Sequence, residues 1–162
     1  MILAVDTYYF ENKAKTVCLM FNDWGKEESP TVLTEITEDI EDYVSGAFYK
    51  RELPCIKSIL KQVDITKVTA IIVDGFVYLD DDGKKGLGAY VYQELNAKIP
   101  VIGVAKRDFA TISKSRHEVL RGSSLSPLYV SATGIDLTEA AERIRQMEGD
   151  FRIPSLLKYV DQ

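Results

Sequence analysis

Met1-Ile2-Leu3-Ala4-Val5-Asp6 runs an apolar stretch straight into a carboxylate, and Val68-Thr69-Ala70-Ile71-Ile72-Val73-Asp74-Gly75 has the same build in mid-chain. A short unbroken apolar run is the pattern of a strand buried on both faces. An aspartate where such a strand leaves the sheet also makes an ordinary strand-to-loop turn, so one alone carries no function. Two at matching positions can set their carboxylates side by side. Paired hard oxygen ligands invite a divalent cation such as Mg²⁺.

Working outward, Thr7 to Phe10 leads to a polar turn at Glu11-Asn12-Lys13, and Thr16 to Phe21 reads as a second strand. Asn22-Asp23-Trp24-Gly25 is turn chemistry. Thr31 to Ile36 alternates and reads as a third strand, so the spacings fit an antiparallel three-strand meander. After the acidic run around Glu38 to Asp42, Leu53, Ile56, Ile59, Leu60 and Val63 recur at helical spacing. Pro54 suits the first turn of that helix, and Glu52 falls at its start, where an acid also complements the helix dipole. Asp80-Asp81-Asp82-Gly83 lacks the ligand spacing of a calcium loop and reads as a tight acidic turn.

Leu87 to Leu95 is predicted helical, and Pro100 to Lys106 is another buried strand ending in a lysine. Leu120-Arg121 and Pro127 to Ser131 read as a late hairpin. Asp136 with Glu139 resembles a capping box for a helix to about Met147, and Pro154 opens a last short helix. The order β-β-β-α-β-α-β, with a hairpin and helices after it, predicts an α/β fold. Its sheet is mixed, a three-strand meander plus parallel strands, with helices on both faces. That order is the ribonuclease-H-like one, in which acidic residues gather at strand ends and hold metal for phosphodiester cleavage.

The 162 residues suit one domain, 1–162, and 46% hydrophobic residues are enough for a real core. No apolar run is long enough to span a membrane, and the first one is too short for a signal peptide. Cys18 and Cys55 have no CxxC or Cys/His spacing and read as reduced core thiols, consistent with the cytoplasm. A lone histidine, His117, argues against a His-rich zinc site. The net charge of −5 is unevenly spread: residues 84–122 carry eight basic and three acidic side chains, a balance of +5. Lys84, Lys85, Lys98, Lys106, Arg107, Lys114, Arg116 and Arg121 make up this segment. It reads either as a phosphate-contacting face or as an ordinary solvated surface.

At this point four blocks, in order, resemble the endonuclease V family of inosine-directed nucleases. They are Ala4-Val5-Asp6-Thr7-Tyr8-Tyr9; Tyr43-Val44-Ser45-Gly46 with Phe48 and Arg51-Glu52-Leu53-Pro54; Val73-Asp74-Gly75 with Leu87-Gly88-Ala89; and Ile102-Gly103-Val104-Ala105-Lys106. The resemblance implies that Asp6, Glu52 and Asp74 hold the metal, Mg²⁺ with Mn²⁺ as a possible substitute. It implies that Lys106 sits near the scissile phosphate and that Asp161 is a late active-site acid. Tyr43 then belongs to a strand-parting wedge, and Gly46, Gly75, Leu87 and Gly88 fall near the pocket for the displaced base. The implied reaction is hydrolysis at the second phosphodiester on the 3′ side of inosine in DNA or RNA, leaving 5′-phosphate and 3′-hydroxyl ends, with a role in DNA repair.

Three departures stand out. The sequence begins at the first strand, where the family usually has a helical segment before it. The wedge reads Asp42-Tyr43-Val44-Ser45, without the family's two prolines. The loop after Asp74 carries three aspartates in place of a histidine and arginines. Prolines lower the entropy lost on ordering a loop, and opening a duplex costs a few kcal/mol, so the altered wedge predicts a preference for single-stranded substrate. A nucleic-acid-binding relative with little activity, or a same-fold nuclease for another nucleic-acid structure, are the alternatives. Oligomeric state is not legible.

Overall fold

The structure is a computed structural model that describes residues 1–25, 29–38, 40, 49–108 and 114–161. Seven strands form one sheet: β1 (Ile2–Phe10), β2 (Lys13–Phe21), β3 (Thr31–Thr37), β4 (Ala70–Asp74), β5 (Val101–Ala105), β6 (His117–Val119) and β7 (Leu128–Thr133). Their spatial order is β3-β2-β1-β4-β5-β7-β6. β1, β4 and β5 are mutually parallel, and the remaining neighbours are antiparallel. The meander closes through a two-residue turn at Glu11 and Asn12, with φ of 48° and 62°. Positive φ at both positions is what a hairpin matching the strand twist requires, and Asn tolerates it well. β1 therefore continues four residues past Asp6.

Strand alternation splits the core in two. Ile2, Ala4, Ile72, Ile102 and Val104 pack beneath α3 (Leu137–Gln146) and α4 (Ser155–Val160). Leu3, Val5, Ile71, Val73 and Val101 pack against α1 (Tyr49–Leu60) and α2 (Leu87–Glu94). The central strands are buried on both faces, which is why they read as continuous apolar runs.

The structure moves several predicted boundaries: β1 runs on to Phe10 instead of leaving the sheet at Asp6, and β2 starts at Lys13 instead of Thr16. α1 already includes Tyr49, so Pro54 lies inside the helix and Glu52 sits in its first turn. The late hairpin uses His117–Val119, not Leu120-Arg121, against β7. Arg121 leaves the sheet because its guanidinium is buried among main-chain carbonyls of Met147, Gly149, Phe151 and Arg152. The acidic turn is as read: Asp80 accepts from the amides of Asp82 and Lys84, both at 2.9 Å, and Gly83 has φ of 91°. Asp136 caps α3 by accepting from Glu139 N at 3.1 Å.

Candidate metal centre

Register alone brings the first two carboxylates together. Ala4 pairs with Ile72 and Val5 with Val73, so one more residue sets Asp6 beside Asp74 on adjacent parallel strands. Asp6 shares the sheet face of Ile2 and Ala4, and Asp74 that of Ile72, so both carboxylates project toward α3 and α4. α4 packs over β1 and β2 and ends on Asp161. One carboxylate oxygen each from Asp6, Asp74 and Asp161 lies within 4.8 Å of the others. Lys106, the residue after β5, lines the same cleft and is ion-paired with Asp161.

Glu52 arrives differently. α1, which carries it, covers the opposite face of the sheet, and the Glu52 charge still acts on Asp6. Arg51 beside it stacks on Tyr9, 3.4 Å from the ring centroid. Among the described residues the close oxygen cluster is therefore Asp6, Asp74 and Asp161, with Glu52 near enough to couple through charge.

That coupling is strong. Burial first, then a hydrogen bond with Asp161 and the charges of Asp74, Glu52 and Asp161, push the Asp6 carboxyl up to about 9. Burial and the Asp74 charge, opposed by Arg51, push Glu52 up to about 8. Asp74 is also raised by burial, against the pull of Lys106. Asp161 goes down despite its burial, because Asp6 and Lys106 both hydrogen-bond to it. Lys106 goes up despite burial, through the same pairing and the Asp74 and Asp6 charges. Protons are thus held on the cluster mainly by burial and like-charge repulsion, which a bound divalent cation would offset. The donors are all hard oxygens, so the set fits Mg²⁺ or Mn²⁺ better than zinc, which favours nitrogen and sulfur.

Arg152 supplies a support that the sequence reading left without a role. Its guanidinium donates to the carbonyls of Lys106 and Pro127, the latter at 2.8 Å. It thereby fixes the backbone that carries the lysine. Its sequence signals were a cation between apolar residues just before the Pro154 helix start and a weaker family similarity over Arg152-Ile153-Pro154.

The other expected site residues fall into two groups. Tyr43 and Gly46, with the whole wedge, lie outside the described residues. Gly75 follows Asp74 at φ of 102°, a turn that suits glycine, and donates to Val104 O at 3.0 Å. Leu87 is in the core, and a Cβ on Gly88 would come within 2.8 Å of the Val77 side chain. Leu87 packs α2 against the sheet and α1, and Gly88 lets α2 approach Val77 in the loop after Asp74. The basic segment is likewise divided. Lys84, Lys98, Arg107 and Lys114 are exposed, whereas Arg116 pairs with Asp108 and Glu118 and lies over Tyr129. Arg121, 5% exposed, is structural and not a phosphate contact.

A mixed seven-stranded sheet with carboxylates gathered where its parallel strands end is the ribonuclease-H-like arrangement. Within that class the chain belongs to the endonuclease V family, a family of nucleases: the family model described as Endonuclease V matches residues 1–122. The matched span contains Asp6, Glu52, Asp74 and Lys106, while Asp161 lies beyond it. The chain is similar in structure to Ciona intestinalis Endonuclease V in complex with a 24mer DNA containing an inosine followed by a ribo-adenosine (TM-score 0.81, 17% identity, 99% of this chain and 82% of that one). It is similar to human ENDOV (TM-score 0.75, 19% identity, 99% and 80%) and to the Endonuclease_V from Bacillus subtilis (TM-score 0.69, 20% identity, 99% and 76%). At these identities the likeness establishes the fold. No curated protein matches the chain.

Proposed function

We propose that this chain is a divalent-metal-dependent endonuclease that cuts inosine-containing DNA or RNA on the 3′ side of the lesion, preferring single-stranded substrate. The observation that carries the reading is the oxygen cluster of Asp6, Asp74 and Asp161 with Lys106 paired to it, inside a member of the endonuclease V family. The inosine target draws support from the DNA in the complex with the Ciona relative. The strand preference rests on the proline-free wedge sequence around Tyr43. No helix among the described residues is long and apolar enough to cross a membrane. Two buried free thiols, Cys18 and Cys55, support a reducing compartment such as the cytoplasm.

Asp6, Asp74 and Asp161 would hold the cation, with Glu52 at the edge of the same field. Bound there, Mg²⁺ supplies an activated water and charge stabilisation for the leaving oxygen. Asp6 would hold the cation as a carboxylate, since metal ligands must be deprotonated. Lys106 offsets the charge of the phosphate as a point cation. Asp161 orients that lysine, and Arg152 holds its backbone in place.

The test is cleavage of matched single-stranded and duplex oligonucleotides carrying inosine or adenosine, with Mg²⁺, Mn²⁺ or EDTA. The expected result is metal-dependent cutting of the inosine strands on their 3′ side, with higher kcat/KM on single strands. Cleavage that survives EDTA, or that ignores inosine, would overturn the reading, and equal or faster cutting of the duplex would overturn the strand preference.

A further inference from the structure

β1 does not stop at Asp6. Alternation puts Tyr8 and Phe10 on the same sheet face as the Asp6 carboxylate, beyond the reach of α4. Tyr8 is 41% exposed, on the part of β1 that runs past the end of β4 and pairs with β2 alone. Its ring centroid is 5.9 Å from that of Phe10, the planes tilted by 39°. Lys15, its partner across the β1–β2 pair, holds its ammonium 5.7 Å from the Tyr8 centroid. Ile36, opposite Lys15 on β3, extends the same apolar surface and is 56% exposed. Lys13, opposite Phe10, is ion-paired with Glu38 at 3.4 Å.

Among the described residues this sheet face is open where it leaves the acidic cluster, and it carries two aromatic rings and a lysine. Two strand residues span roughly 7 Å, so Tyr8 lies within about one nucleotide's reach of Asp6. Aromatic rings beside a cation are how proteins hold single-stranded nucleic acid, because every base has a stackable face. A protein partner would have to cover an aromatic patch that runs directly into clustered carboxylates. A nucleic-acid strand already engaged by that cluster would cross the patch as a matter of course.

We infer that Tyr8, with Phe10 and Lys15, is a stacking subsite for an unpaired nucleobase close to the scissile phosphate, Lys15 facing the phosphate next to that base. The inference rests on the nuclease reading above and adds to it a binding surface outside the metal centre.

The experiment uses single-stranded inosine oligonucleotides and their adenosine counterparts, in which one base at a time near the cut site is replaced by an abasic linker. Wild type, Tyr8→Phe, Tyr8→Ala and Tyr8→Thr are compared by Kd and kcat/KM, threonine serving as a strand-forming control for folding. Stacking lost to alanine is worth about 1–3 kcal/mol per base, so Tyr8→Ala and Tyr8→Thr should weaken binding about 5- to 150-fold while Tyr8→Phe stays near wild type. On the oligonucleotide lacking the stacked base, wild type should fall to the level of the alanine variant. Inosine cleavage with no Tyr8 dependence overturns the subsite alone. A penalty that persists unchanged on every abasic oligonucleotide makes Tyr8 merely structural and also overturns it. Tyr8-dependent binding of inosine and adenosine strands alike, without inosine-directed cutting, supports the subsite and overturns the inosine reading instead.

Discussion

Replacing Arg121 by methionine keeps most of the apolar stem and removes the guanidinium. Arg121 donates to Met147 O and Gly149 O through one terminal nitrogen and to Phe151 O and Arg152 O through the other, so its fork spans the turn between α3 and α4. The bond to Met147 O is buried, and the other three are partly open to solvent. A buried acceptor stripped of its donor costs about 1–3 kcal/mol, and each of three acceptors that water can reach costs about 0.5–1.5 kcal/mol. Methionine also relieves the burial of a charge, which already pulls the Arg121 pKa down. The net loss is expected to be about 2–4 kcal/mol, a large share of the 5–15 kcal/mol typical of a domain. For a chain of this size that lowers Tm by roughly 5–15 °C. Lysine should fare little better, because a point ammonium cannot present a planar fork to four carbonyls. Urea unfolding at pH 7 measures the change, and a Mg²⁺ titration should show weaker binding as α4 and Asp161 loosen. A loss under about 1 kcal/mol, or a lysine variant equal to wild type, would refute the reasoning.

Three further outcomes follow from the site. The Asp6 and Glu52 carboxyls are raised to about 9 and 8, so the folded chain keeps protons that the unfolded chain releases. Stability without metal should therefore fall as pH climbs from near 4 through 9, and saturating Mg²⁺ should flatten that slope; urea midpoints at about pH 6 and about pH 8.5, in EDTA and in Mg²⁺, check both signs. Lys106→Ala should lower kcat far more than it raises KM, because the lysine is paired to Asp161 at the cluster and not spread over the basic surface; equal losses in both would count against it. Gly103→Ala would set a Cβ 2.5 Å from Gly75 O and 2.7 Å from Ser131 Oγ, parting β5 from the loop after Asp74. The expected cost is about 1–3 kcal/mol with a fall in turnover, read by denaturation and single-turnover kinetics.

The sequence by itself determined most of the strands and their order along the chain. Apolar runs leading into Asp6 and Asp74 read as doubly covered strands, and a parallel register between them sets the two acids side by side. Turn chemistry at Glu11-Asn12 and Asp80 to Gly83, and the Asp136 cap, were legible because they depend on neighbours in the chain. The matching blocks supplied Glu52, Lys106 and the family. Only the tertiary structure decided what depends on distant groups. It moved the late strand to His117–Val119, because main-chain carbonyls 26 to 31 residues away claim Arg121. It brought Asp161 against Asp6 and Asp74 by laying α4 over β1. It set α1, which carries Glu52, on the opposite face of the sheet, with Glu52 coupled to Asp6 and Asp74 through charge. It packed Leu87 into the core and Gly88 against Val77, and it left Tyr8 exposed beyond the cluster. A strand's period tells which side chains share a face; which part of that face a helix covers is settled only when the chain has folded over it.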